Sequence, residues 1–147
     1  MPTQKETIRN LIKILKDWQE IEDAAVRNTT DIIKKTKNPL IKIIMEIIRQ
    51  DSAMHKRVQQ LIIDNFEKER VSLDLKELNM FWELVEEHDK LERKTIELAE
   101  KAMDETTSQL AKYLLNYLLV DEQKHNQLLE EIEKFKKGLY PYGKVKY

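Results

Sequence analysis

The chain has 147 residues, a net charge of −1 and a charged fraction of 36%, with only 2 Gly and 3 Pro. This composition is typical of long helices, and the balanced charge gives no electrostatic reason to expect a nucleic acid or a membrane surface as partner. Because the chain has no Cys, disulfides and iron–sulfur clusters are excluded.

The distribution of apolar residues also bears on location. No stretch approaches the roughly 20 apolar residues that a membrane-spanning helix needs. The polar segment Met1–Arg9 lacks the apolar core of a signal peptide. We therefore expect no membrane partner and a cytoplasmic location.

The first two helices are predicted by their start signals. Thr3 and Glu6 have the spacing of a capping box, and apolar residues then recur every three or four positions from Ile8 to Ile32. This pattern stops before Asn38 and Pro39. We expect Asn38 to cap a second helix with Pro39 in its first turn, where the missing N–H is tolerated.

Two further helices follow. The pattern of the second helix fades near Arg70, and Ser72 or Asp74 is expected to start the third helix. The chain turns again over residues 104–107, and Gly138 is the predicted stop of the fourth helix.

These elements predict an all-α protein. Each helix has roughly 30 residues, and short connections favour antiparallel neighbours. We therefore predict an up-down-up-down antiparallel four-helix bundle, with extended coiled-coil helices as the alternative. Residues 1–137 would form this single bundle, and residues 138–147 would form a C-terminal tail.

The two halves of the chain repeat with an offset of 70 positions. Several apolar residues match across this offset, as any two amphipathic hairpins of equal length would. Polar residues match as well, and amphipathicity does not explain these pairs: Glu22 and Glu92, Asp51 and Asp121, His55 and His125. The chain is therefore interpreted as two helical hairpins of common design.

The repeated polar residues interrupt the apolar faces in the middle of each helix. Burying an unpaired carboxylate costs several kcal/mol or more, and a divalent cation bound by carboxylates and imidazoles compensates for that cost. His88 adds a third imidazole, one helical turn before Glu92. The alternative reading is ordinary surface ion pairs and hydrogen-bonded core histidines.

One short motif carries a resemblance to a known family. The segment Glu122-Gln-Lys-His125 has the Glu-x-x-His pattern, and the chain as far as Lys137 resembles the ferritin-like superfamily, particularly rubrerythrin-like di-metal proteins. Ser52 stands where the second helix of that family carries its Glu, so Asp51 would substitute from one position earlier.

The resemblance implies a di-metal site and a ligand set. Its candidate ligands are the carboxylates Glu22, Asp51, Glu92, Asp121 and Glu122 and the imidazoles His55, His88 and His125. Whether Asp121 or Glu122 is the ligand stays open. The expected cofactor is a pair of iron ions, with manganese or zinc as alternatives. Oxygen or peroxide would be the substrate of a ferroxidase-type or peroxidase-type oxidoreductase.

Other functions fit the same helices. A metal-free bundle of ferritin-like ancestry would act as an interaction or scaffold protein, and an adaptor bundle would act through a helix ridge. A homodimer is also expected, because bundles of this size often pair. The segment Lys134–Tyr147 interleaves Lys with Tyr140, Tyr142 and Tyr147, as single-stranded nucleic-acid binders do. We favour packing of this tail along a neighbouring subunit over nucleic-acid binding.

Overall fold

Helices are the regular secondary structure of the part of the chain that the structure describes. The computed structural model describes residues 1–72 and 74–139, without the side chains of residues 135, 138 and 139. These residues form four helices and no strand: α1 (Gln4–Lys35), α2 (Pro39–Glu67), α3 (Leu75–Asp104) and α4 (Gln109–Leu139). The all-α prediction is confirmed, whereas the predictions for the tail from Tyr140 onward lie outside the described residues.

The start of α1 and the start of α2 are fixed by the predicted caps. Thr3 Oγ1 accepts a hydrogen bond of 3.1 Å from the Glu6 N–H, and the Glu6 carboxylate accepts one of 2.8 Å from the Thr3 N–H. Asn38 Oδ1 accepts the N–H groups of Leu40 and Ile41 at 2.9 and 3.2 Å. Each cap satisfies backbone donors that the first helical turn leaves free, an effect of about 1 kcal/mol.

The remaining helix starts use the same chemistry. Asp74 Oδ1 accepts the Lys76 N–H at 2.9 Å, so Asp74, rather than Ser72, caps α3. Ser108 Oγ accepts the Ala111 N–H at 3.2 Å at the start of α4. That helix includes Gly138, which the sequence pattern placed at its stop.

The chain divides into two compact units, Met1–Ser72 and Leu73–Tyr147. In the first unit α1 packs on α2, and in the second α3 packs on α4. In the first unit Gln19 bonds Gln60, whereas Thr30, later in α1, bonds the earlier Arg49, so the two helices are antiparallel. The contacts Glu92–His125 and Thr95–Glu122 show the same for α3 and α4. The two predicted helical hairpins are therefore present. The up-down-up-down packing of all four helices stays a prediction.

The contact face of α2 is displaced by one residue from the predicted face. The residues of α2 that lie buried are Ser52, Gln59 and Ile63, whereas Asp51 and His55 are exposed. The apolar pattern did not indicate this face because two of its three buried residues are polar. A rotation of 100° per residue makes neighbouring positions point in quite different directions.

The contact face of α3 carries Glu92 and Ala99, which are buried against α4. A second row on the same helix is apolar and exposed: Leu84, Leu91 and Leu98, at 58–64% accessibility. No helix in the described part of the chain carries an apolar stretch long enough to cross a membrane.

Candidate metal centre

Glu92 lies at the centre of the polar cluster in the α3–α4 hairpin. The residue is only 5% exposed. Its Oε1 accepts a hydrogen bond of 2.7 Å from His88 Nε2, one turn earlier in α3. The same oxygen lies 3.3 Å from His125 Nδ1 on α4. One carboxylate oxygen thus contacts two of the predicted imidazoles, one from each helix.

The other oxygen of Glu92 has no such partner. Within the described residues, Glu92 Oε2 is the one buried carboxylate oxygen that lacks a hydrogen bond. Leaving a buried acceptor unsatisfied costs about 1–3 kcal/mol, and more when the group is charged. A cation bound at this oxygen would remove that cost.

Glu122 brings a second carboxylate to the same place from α4. Its Oε2 lies 3.8 Å from His125 Nδ1 and accepts a 3.1 Å hydrogen bond from Thr95 Oγ1. Glu92, Glu122 and His125 can each offer one ligand atom, and these atoms lie within 4.8 Å of one another. Among residues 1–72 and 74–139, this is the one group of three or more such side chains with metal-binding proximity.

Asp121 occupies a different position from its neighbour Glu122. Its Oδ2 lies 3.4 Å from His125 Nε2, the ring nitrogen that points away from Glu92, and its Oδ1 lies 2.9 Å from Lys124 Nζ. Of the two carboxylates between which the sequence did not decide, Glu122 joins the group of three and Asp121 lies behind the ring; which of them binds a metal stays a prediction. A carboxylate at the second nitrogen of a histidine fixes its tautomer and orientation.

The α1–α2 hairpin contains a similar pair of residues. Glu22, 7% exposed, accepts a hydrogen bond of 3.1 Å from Trp18 Nε1 at its Oε1, and His55 Nδ1 lies 3.5 Å from that oxygen. Trp18 precedes His88 by the same 70 positions that separate Glu22 from Glu92. Each hairpin thus holds a buried Glu between a ring donor on its own helix and a His on the next.

The second carboxylate of the cluster distinguishes the two hairpins. Ser52 occupies the position equivalent to Glu122 and is buried, whereas the exposed Asp51 is equivalent to Asp121. The sequence placed Asp51 in the ligand set as a substitute for the missing Glu. The structure instead turns Ser52 toward the hairpin interior, and Asp51 does not join the metal-binding group found among the described residues.

Sequence reasoning missed two residues of this arrangement. Thr95 contacts the backbone oxygen of Glu92 and the carboxylate of Glu122, and Trp18 replaces an imidazole with an indole. Thr95 lies three residues after Glu92, a spacing that places both on one helix face. That spacing was the available signal for Thr95.

The donor set of the cluster has the chemistry of a divalent-cation site. Two carboxylates supply negative charge and the imidazole supplies a nitrogen donor. Nδ1 of His125 now points at Glu92 Oε1, so it would exchange its proton for a metal while Nε2 keeps a proton toward Asp121. The residues therefore fit a metal ion without any change of helix partner.

Comparison with protein-family models, curated proteins and solved structures finds no match to this chain. The resemblance to the ferritin-like superfamily therefore depends on the residues already named.

Proposed function

We propose that this protein binds a divalent transition-metal ion in its α3–α4 hairpin, with Glu92, Glu122 and His125 as ligands. The observation that carries the proposal is the buried Glu92 Oε2, which lacks a hydrogen-bond partner beside two further ligand-type side chains. An acidic cluster alone would be weak support. A carboxylate that is more than nine-tenths buried and half satisfied is stronger support.

The proposed ions follow from the ligand types. Imidazole suits zinc and iron, and carboxylate suits manganese, so the mixed set favours Fe(II), Mn(II) or Zn(II) over Ca(II). His88 lies next to this group without being part of it, since its Nε2 is 2.7 Å from Glu92 Oε1, and its side chain is 59% exposed. That exposure gives an ion access to the cluster from solvent.

The di-iron form of the proposal, which the resemblance implies, adds a second metal and chemistry with oxygen or peroxide. The Glu22–His55 pair supports it, because these residues repeat Glu92 and His125 in the other hairpin. It predicts two metals per chain, whereas our main proposal predicts one. Metal stoichiometry therefore distinguishes these two forms.

A metal-free interaction or scaffold protein is the second candidate. It is favoured by the exposed row of Leu84, Leu91 and Leu98, whose seven-residue spacing suits packing against another amphipathic helix. In this function the contacts of Glu92 Oε1 with two imidazoles would be purely structural. It predicts that neither chelators nor added metals change the stability of the protein.

The test is metal binding by the purified protein and by two matched variants. The chain is loaded separately with Fe(II), Mn(II) and Zn(II), dialysed, and analysed for metal per chain. Glu92→Gln removes the central carboxylate and is expected to weaken binding by more than about 100-fold, since even outer residues contribute 10–100-fold. Glu22→Gln makes the same chemical change in the α1–α2 hairpin and is expected to leave binding unchanged.

Each result has one meaning. One metal per chain, lost in Glu92→Gln and kept in Glu22→Gln, supports the proposed site. Two metals, of which each variant loses one or both, support the di-iron form. If the wild-type chain retains no metal under any loading, the metal proposal is wrong and the scaffold function takes its place.

A further inference from the structure

We infer that Thr95 is a positioning residue for the metal ligand Glu122, and that it restricts this carboxylate to coordination through one oxygen. This inference rests on the proposed metal-binding function. It goes further because it concerns the selectivity of the site for transition-metal ions over calcium.

Thr95 lies where it can connect the two helices of the site. Its Oγ1 is 2.7 Å from the backbone oxygen of Glu92 in its own helix and 3.1 Å from Glu122 Oε2 on α4. Thr95 Oγ1–Glu122 and His125–Glu92 are both contacts across the helix pair. The hydroxyl group therefore touches the residues that carry both carboxylates of the cluster.

The hydroxyl group has a single hydrogen to donate. Both acceptors lie within hydrogen-bonding distance, so this hydrogen is shared between the Glu92 backbone oxygen at 2.7 Å and the ionised Glu122 Oε2 at 3.1 Å. The contact with the Glu92 backbone oxygen holds the side chain in a defined rotamer, as helical Thr residues often are held. Thr95 is thus oriented by its own helix and directed at Glu122.

The consequence for the metal follows from the geometry of a carboxylate. Thr95 holds Glu122 Oε2, the oxygen that lies 3.8 Å from His125 Nδ1, and so presents one oxygen of this carboxylate to an ion in a fixed orientation. Calcium takes six to eight oxygen ligands and often binds carboxylates through both oxygens, whereas zinc is satisfied by four donors. A carboxylate restricted to one oxygen therefore favours a small transition-metal ion over calcium.

The α1–α2 hairpin lacks both partners of this contact. The residue equivalent to Thr95 is Ala25, and the residue equivalent to Glu122 is Ser52. Glu22 and His55 are nevertheless retained there at 3.5 Å. Where the second carboxylate is missing, the hydroxyl that would orient it is missing too, as expected if Thr95 serves Glu122 rather than the helix.

The test compares two substitutions at residue 95 with one control. Thr95→Val keeps the branched shape and removes the hydroxyl, Thr95→Ser restores the hydroxyl, and Thr29→Val removes a helix-bonding hydroxyl in the other hairpin. Co(II) is used as a coloured probe for the transition-metal ions, because its visible spectrum reports its coordination number. The affinities for Co(II) and Ca(II) are measured by titration. Circular dichroism verifies that each variant is folded.

We expect Thr95→Val to bind Co(II) about 10–100-fold more weakly, with an altered spectrum and a smaller preference over Ca(II). Thr95→Ser should stay within about threefold of the wild type, well below the change expected for loss of an outer residue. Thr29→Val should bind like the wild type.

Two outcomes would overturn the inference while the proposed site stands. These are a Thr95→Val variant that binds and absorbs like the wild type, and a Thr95→Ser variant that is as impaired as Thr95→Val. If the wild-type chain binds no Co(II), the proposed function itself fails and the inference fails with it.

Discussion

The two hairpins use equivalent positions for different purposes. In the α1–α2 hairpin the buried Gln19 connects the two helices, since its Nε2 donates hydrogen bonds to the Lys56 carbonyl at 3.2 Å and to Gln60 Oε1 at 3.0 Å. In the α3–α4 hairpin the contact face instead brings together two carboxylates and an imidazole. Both hairpins have a buried side-chain oxygen without a hydrogen bond, but in the first it is the neutral amide oxygen Gln59 Oε1, whereas in the second a carboxylate oxygen, Glu92 Oε2, is unsatisfied.

This difference teaches that a repeated pair of residues need not repeat its function. Both hairpins hold a Glu–His pair, at 3.5 Å for Glu22–His55 and 3.3 Å for Glu92–His125. A metal site needs more donors than such a pair supplies, and residue 122 provides the next one where residue 52 does not. The identity of one residue therefore separates a structural pair from a candidate ligand set.

The largest expected effect tests the packing role of the first hairpin. Ile63 is 1% exposed, whereas Glu133, its equivalent in the second hairpin, is exposed. Ile63→Ala should lower the free energy of unfolding by about 2–5 kcal/mol, because it leaves a cavity between α1 and α2. Glu133→Ala should change it by less than about 0.5 kcal/mol. Urea unfolding followed by circular dichroism measures the free energy of unfolding of both variants. Equal losses in the two would contradict the different packing roles of Ile63 and Glu133.

The next largest expected effect distinguishes His125 from His55. His125→Ala removes the nitrogen ligand and should weaken Zn(II) binding by about 100-fold or more. His55→Ala removes the equivalent ring from the first hairpin and should leave the affinity unchanged. Isothermal titration of both variants measures the difference. Equal losses would mean that both hairpins supply ligands, as the di-iron form predicts.

The smallest effect is expected from substitutions that give the first hairpin the site residues of the second. The double substitution Ser52→Glu with Ala25→Thr gives α1–α2 the carboxylate and the hydroxyl that it lacks. A second metal per chain should then bind, more weakly than the first, because a buried carboxylate is also introduced. Ser52→Gln with Ala25→Thr is the matched control and should bind one. Metal analysis after dialysis counts the ions, and a count of one in both variants would show that these two residues do not explain the difference.

Much of the fold was predictable from local signals. The Thr3 capping box and the Asn38–Pro39 start depend on a few neighbouring residues, and the structure confirms both. Of the two predicted starts of α3, Ser72 and Asp74, the structure has Asp74. The i, i+4 spacing also placed His88 beside Glu92, with 2.7 Å between their polar atoms. These features need no knowledge of which helices meet.

The details of the site were less predictable because they depend on helix rotation. The sequence did not decide between Asp121 and Glu122, which differ by 100° around α4 and therefore face opposite sides of the His125 ring. It also favoured Asp51 over Ser52, because hydrophobic periodicity follows apolar residues and the true contact face of α2 is partly polar. Such details depend on which helix faces meet, and the pattern within one helix does not determine that.

The most direct test of the difference between the hairpins is to locate the metal. Crystals of the zinc-loaded protein, measured at wavelengths on either side of the zinc absorption edge, give an anomalous difference map. We predict a peak among Glu92, Glu122 and His125 and no peak beside Glu22 and His55. A peak beside Glu22 and His55 alone, or no peak at either place in fully loaded crystals, would contradict the proposed site.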